Sequence, residues 1–150
     1  EALVVAVYED CMQKLGKQVV DALTRTYDGS NAEQAISAGL DAYYLALEDA
    51  RVSRVCLFEL EAISPQVTQL CFRHMGGLSQ FLVGLANYAY PHWDLDSKEK
   101  EVLGISMVGA LRQSATVWLL DDYKTERSIL VKASSKLFLG MIAVTCSDAP

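Results

Sequence analysis

Apolar residues recur at every third or fourth position along most of the chain, and short polar, Gly- or Pro-containing breaks cut this pattern into six segments. The first, Glu1 to Tyr27, keeps Val4, Tyr8, Cys11/Met12, Leu15, Val19 and Leu23 in helical register, and Asp28-Gly29-Ser30-Asn31 ends it with turn residues. Asn31 is placed to cap the second helix, with Gln34 at the matching position of a capping box. That helix reaches about Ala50 and carries Ile36, Leu40, Tyr43/Tyr44 and Leu47 on one face. Arg51 to Leu60 is short and nearly all apolar, the composition of a helix buried in the middle of a bundle. Ser64-Pro65 then supplies an N-cap and a first-turn proline for a long fourth helix to about Tyr90, stopped by Pro91. A loop from Pro91 to Ser97 leads to the fifth helix, opened by Ser97 and Glu101, and Thr125 with Ser128 opens the sixth. No alternating strand pattern, internal repeat or low-complexity tract interrupts this. The pattern predicts an all-α bundle of six helices forming one domain over residues 1–150.

The last two helices, between Lys98 and Val144 and split at Asp121-Asp122-Tyr123-Lys124, hold more apolar surface than one core needs. On the fifth, Leu103, Met107, Ala110/Leu111, Ser114 and Trp118 form one stripe, and Val102, Ile105, Gly109, Ala115, Thr116 and Leu119 a second. On the sixth, Leu130, Ala133, Leu137, Met141 and Val144 form one face, widened by Ser134, Phe138 and Ile142. Such a surplus fits the central helices of a monomer or a two-fold dimer interface, and a dimer is expected.

Composition narrows the function classes. The chain is 51% hydrophobic and 21% charged, with three prolines and a net charge of −6. Gripping a nucleic-acid backbone takes clustered Lys and Arg, which this acidic chain lacks. Cys11, Cys56, Cys71 and Cys146 are widely spaced without a CxxC, which suits reduced thiols and a cytoplasmic location. No basic-then-apolar leader opens the chain. The uncharged run from His74 to Trp93 is diluted by Ser79, Gln80, Asn87, Pro91 and glycines, so no membrane span is expected there.

Catalytic fingerprints such as GxSxG, GxGxxG, a Walker loop or HExxH are absent. Cys71 and His74 share a helical face, but two ligands do not make a metal site, and no metal or cofactor is expected. His74, on its helix's apolar stripe, is either a hydrogen-bonded core histidine or a polar contact on a cavity wall. Arg112 stands among apolar positions and needs a partner if buried. Aromatic and methionine side chains spread over five helices, Tyr8, Met12, Tyr43, Tyr44, Phe58, Phe72, Met75, Phe81, Met107 and Trp118, read as ordinary core one by one. Together, with a few polar tips, they have the make-up of a small-molecule pocket.

Three stretches, Tyr43 to Leu47, Arg54 to Pro65, and Val108 to Arg112 with Trp118-Leu119, together with the order and lengths of the helices, resemble the C-terminal regulatory domain of TetR-family transcriptional regulators. The match is one of pattern across the whole chain and not of a sharp motif. It implies a homodimer through the last two helices and an apolar effector pocket among the middle ones. It also implies a helix-turn-helix DNA reader N-terminal to Glu1, through which alone operator DNA would be contacted; this chain departs from the family in carrying no such element. The expected function is therefore effector binding and dimerisation in a repressor, not catalysis. The pocket residues expected are Tyr8, Met12, Tyr43, Tyr44, Phe58, Cys71, His74, Leu78, Phe81, Met107, Leu111 and Trp118. The interface residues expected are Arg112, Ala115, Thr116, Leu119, Leu130, Ser134, Leu137, Phe138 and Met141. The rival readings are a structural dimerisation module with a filled core, and a small all-α enzyme using His74 with Glu59 or Asp41.

Overall fold

In the computed structural model, residues 2–58 and 63–146 are described, and they form six α-helices with no strand among them. These are α1 (Ala2–Thr26), α2 (Ala32–Leu47), α3 (Ala50–Leu57), α4 (Pro65–Ala89), α5 (Ser97–Leu120) and α6 (Arg127–Thr145). The hydrophobic period thus locates every helix, while the starts differ from expectation in four places; at α6 the cap position is Glu126, not Thr125, and no side chain caps it. Asn31 does not cap α2 with its side chain; its amide accepts from the Asp28 N–H at 2.9 Å and donates to the Thr26 carbonyl at 2.8 Å. The asparagine therefore closes the end of α1 and not the start of α2. The helix expected to reach Ala50 stops at Leu47, because the Asp49 carboxylate accepts from the Arg51 N–H at 2.9 Å and starts α3. Likewise Asp96, one residue before the expected Ser97, caps α5 by accepting from the Lys98 N–H at 2.9 Å. A carboxylate there also complements the positive end of the helix. Ser64 and Pro65 start α4 as the sequence suggests, with the Ser64 hydroxyl accepting from the Val67 N–H at 3.3 Å.

α3 corrects the expectation of a fully buried helix. Only Ser53 and Leu57 are buried, Arg51, Arg54 and Phe58 are exposed, and the Glu59–Leu60 end of the expected segment lies outside the described residues.

α2 is the centre of the bundle, packed on α1 and on α6, while α5 packs on α4 and α3. The main core gathers Leu40, Tyr44 and Leu47 of α2 against Met107, Leu111, Ala115 and Trp118 of α5, closed by Val131 and Phe138 of α6. Its aromatic rings meet edge to face, Tyr44 on Trp118 at 5.9 Å and Trp118 on Tyr123 at 4.8 Å. α4 and α5 approach closely at Gly104, where a Cβ would stand 2.6 Å from the Ser79 hydroxyl and 2.8 Å from a Val83 methyl. A separate cluster at the C-terminal end holds Trp93, in the loop before α5, against Ile142 and Cys146, and the Trp93 indole N–H donates to the Thr145 hydroxyl at 2.8 Å.

The turn between α5 and α6 places two non-glycine residues, Asp122 and Tyr123, at φ of 54° and 55°. Left-handed backbone is unfavourable for a tyrosine, so its surroundings must hold it. The Tyr123 N–H donates to the Trp118 carbonyl at 2.9 Å, and its hydroxyl donates to the Leu47 carbonyl at 2.8 Å. Leu47 also accepts from the Ser53 hydroxyl, so the carbonyl at the end of α2 is doubly satisfied. The Trp118 indole N–H donates to the Thr125 carbonyl at 2.7 Å and ties the far side of the turn. On the opposite flank of α6, Arg127 bridges to Asp41 at 2.9 Å and Glu48 at 2.7 Å.

Candidate functional site

α1 and α4 touch near both ends, at Tyr8 with Cys71 and His74 and at Tyr27 with Tyr88, and two cavities lie along the stretch between. The first, about 360 Å³, is walled by Val19, Leu23 and Tyr27 of α1, Ile36, Leu40 and Tyr43 of α2, and Leu78 to Ala89 of α4. Its ceiling is Leu111 of α5 with Phe138 and Ile142 of α6. Side-chain polarity here comes mainly from the hydroxyls of Thr24, Tyr27, Tyr43, Tyr88 and Tyr90. The second, about 500 Å³, continues toward the start of both helices, lined by Glu9, Met12, Leu15, Gly16 and Val19 of α1 and by Leu70 to Phe81 of α4. Val19, Tyr43 and Leu78 belong to both. Each has the size and mainly apolar lining usual for small-molecule sites.

The twelve expected pocket residues divide between these walls and the solid core. Tyr43, Leu78 and Leu111 line the first cavity, and Met12, Tyr43, His74, Leu78 and Phe81 line the second. Tyr44, Met107 and Trp118 pack into the main core, Tyr8 and Cys71 form a cluster with Val67, and Phe58 is exposed beyond α3. Most of the first cavity's lining was not expected there, including Thr24, Tyr27, Tyr88 and Tyr90 at the C-terminal ends of α1 and α4. Their signal was a tyrosine at the end of each of two long helices; Tyr27 and Tyr88 meet edge to face at 5.8 Å.

Burial dominates the electrostatics. Loss of water raises the Tyr8 phenol well above its ordinary value, and the neighbouring Cys71 adds to this. Burial also raises Tyr43, with Tyr44 and Cys56 contributing, and pushes the Cys56 thiol up to about 12. Tyr90, at the rim of the first cavity, is raised by burial and by the charge of Glu33. Among the described residues no three His, Cys, Asp or Glu side chains come together as metal ligands. His74 packs edge-on against Tyr8 at 5.4 Å, whereas Asp41 is held by Arg127 on the α2–α6 flank, so those two do not form an acid–base pair; Glu59 lies outside the described residues.

The interface residues are also sorted. Leu137 is exposed and Thr116 half-buried on outward faces, with Leu119, Leu130, Met141 and Arg112 half-buried. Arg112 donates to the Leu57 carbonyl at 3.0 Å. Ala115, Ser134 and Phe138 instead face the subunit's own core: Ala115 follows Leu111 by one turn and precedes Trp118 by three residues, both core positions. What remains outside is a row on α5 (Val102, Ile105, Val117, Leu120) and another on α6 (Ile129, Leu137, Val144), all exposed and at helical spacing. α5 and α6 are each long and apolar enough to cross a membrane by length and composition, with 33% and 22% of the apolar window buried.

No known protein family, curated protein or solved structure matches the chain.

Proposed function

We propose that this chain is the effector-binding and dimerisation domain of a TetR-like transcriptional repressor, sensing an apolar small molecule. The observation that carries the reading is the ceiling of the first cavity. Leu111, Phe138 and Ile142 touch the cavity from helices α5 and α6, and the outer faces of those two helices are the uncovered apolar rows. A guest pressing on the inner side of α6 would act on the helix that carries the subunit contact. Ligand-driven release of DNA requires such a link, since a ligand shifts only an equilibrium whose two states it binds differently, typically by about 1–3 kcal/mol.

A second copy suits the apolar rows better than lipid does. Lys132 and Lys136 are exposed on α6 in the middle of its length, and Gln113 is exposed on α5. Charges at that depth are costly in a bilayer and ordinary at the rim of a protein interface. In this reading the DNA-binding element is N-terminal to α1, and the chain's net charge of −6 gives it no role in gripping phosphate.

The test is sedimentation of the chain at high micromolar concentration, with a thermal-shift panel of hydrophobic compounds. A two-chain particle and at least one stabilising compound are expected; a ligand at 100 times its dissociation constant adds about 2.7 kcal/mol. A dimer with no response across the panel would favour a structural dimerisation module, and a monomer would remove the reading.

A further inference from the structure

The two cavities are consecutive along the same pair of helices. The second runs from Glu9 to Val20 on α1 and from Leu70 to Phe81 on α4; the first takes over at Val19 and Leu78 and ends at Tyr27 and Tyr90. Both helices therefore travel in the same direction past the two cavities, which abut end to end at a waist formed by Val19, Tyr43 and Leu78. From Glu9 to Tyr27 this two-part trench follows about 27 Å of helix at 1.5 Å per residue. A compact hydrophobe would fill one half and leave the other empty.

The ends differ in chemistry. The far end is lined by tyrosine rings and alanines. The near end carries Arg73 and His74 on α4 and Glu9 on α1. Arg73 is exposed, lines this cavity and has no ion-pair partner among the described residues, so its guanidinium is available to a ligand. His74, one residue on, adds an imidazole at the same wall. Halfway along, Tyr43 lines both cavities.

We propose that the trench binds a long-chain monocarboxylate, a fatty acid in extended form, with its carboxylate at Arg73 and His74 and its tail passing Tyr43 into the first cavity. This rests on the sensing role proposed above and names the ligand class for the same site. A planar guanidinium receives a carboxylate through two parallel N–H donors, which a neutral head group cannot exploit. The length of the trench selects the tail, because a short chain leaves the first cavity, and hence the α5–α6 ceiling, untouched. Glu9 opposes an anionic head and sets the affinity below what Arg73 alone would give.

Calorimetric titration of the chain with oleate, octanoate, oleyl alcohol and dodecylamine, all below their micellar concentrations, tests this. Oleate is expected to bind once per chain, about tenfold or more tighter than both octanoate and oleyl alcohol. Arg73→Gln should abolish the preference for oleate over the alcohol, and Glu9→Gln should tighten oleate. Gly77 lines the second cavity with open space where a Cβ would stand, so Gly77→Leu should fill the passage and reduce oleate to the affinity of octanoate with the fold intact. Equal binding of oleate and oleyl alcohol, or tighter binding of dodecylamine lost in Glu9→Gln, would overturn the carboxylate assignment and leave the sensing role standing. Binding of none of the four, with none in a wider hydrophobic panel, would remove both.

Discussion

The Tyr44 phenol oxygen lies 2.8 Å from the Ser134 hydroxyl, a buried hydrogen bond between residues 90 apart in sequence that joins α2 to α6 in the core. Tyr44→Phe keeps the ring against Trp118 and leaves the Ser134 hydroxyl without this partner. A buried hydroxyl so stranded costs about 1–2 kcal/mol. Ser134→Ala removes the same bond from the other side, so the two losses should not add in the double variant. Denaturant unfolding of both single variants and the double variant reads this directly. Equal, additive losses would mean the two hydroxyls do not interact.

Gly104→Ala should destabilise by about 1–3 kcal/mol, the usual penalty for overpacking. Its new methyl would meet the Ser79 hydroxyl at 2.6 Å and the Ser79 carbonyl at 3.0 Å. Adding Ser79→Ala removes the hydroxyl and not the carbonyl, so the double variant should recover only part of the loss. A fully wild-type melting temperature for Gly104→Ala would show that α4 and α5 are not in close contact there.

Leu137→Glu and Ile105→Glu place a charge on the exposed rows of α6 and α5 without touching the core. If those rows meet a second copy, each variant should sediment as a single chain with wild-type helical content. Dimers that persist in both variants would move the subunit contact elsewhere.

Alkaline pH should weaken the fold. Burial raises Tyr8, Tyr43 and Tyr44 and pushes Cys56 up to about 12. In an unfolded chain a cysteine loses its proton near about 8.5 and a tyrosine near about 10. Above those values the unfolded state sheds protons that the folded state keeps, so stability falls as pH rises from about 8.5 toward 12 and these groups have no effect below that window. Melting temperatures from pH 7 to 11 should stay level and then drop, with the earliest part of the drop missing in Cys56→Ala. A Cys56→Ala profile identical to wild type throughout would contradict the burial of that thiol.

How far the sequence reveals this molecule follows from what each pattern encodes. A 3.6-residue period reports which side of a helix is apolar, and it located all six helices and the surplus on α5 and α6. It does not report what the apolar side meets. Tyr44 and Tyr43 are adjacent and chemically alike, yet Tyr44 fills the core and Tyr43 walls both cavities, because one residue of helical rotation separates them by roughly 100°. Ser134 and Leu137 share a face in sequence and divide in space between a buried hydroxyl and an exposed side chain. Cap identity fails for a related reason: Asn31, Asp49 and Asp96 are each within one residue or one turn of another polar group able to serve. The gap between α1 and α4 had no local signal, since a void is a property of two helices that touch at their ends and not between.

The Asp122–Tyr123 turn bears on how any movement of α6 is transmitted. A joint of glycines would let the helix swing by itself. Here two residues sit in backbone that only their surroundings tolerate, clamped to the end of α2 through Leu47 and to α5 through Trp118. The hairpin therefore has no loose elbow: if a guest displaces α6, this clamped turn is the joint through which α5 would feel it.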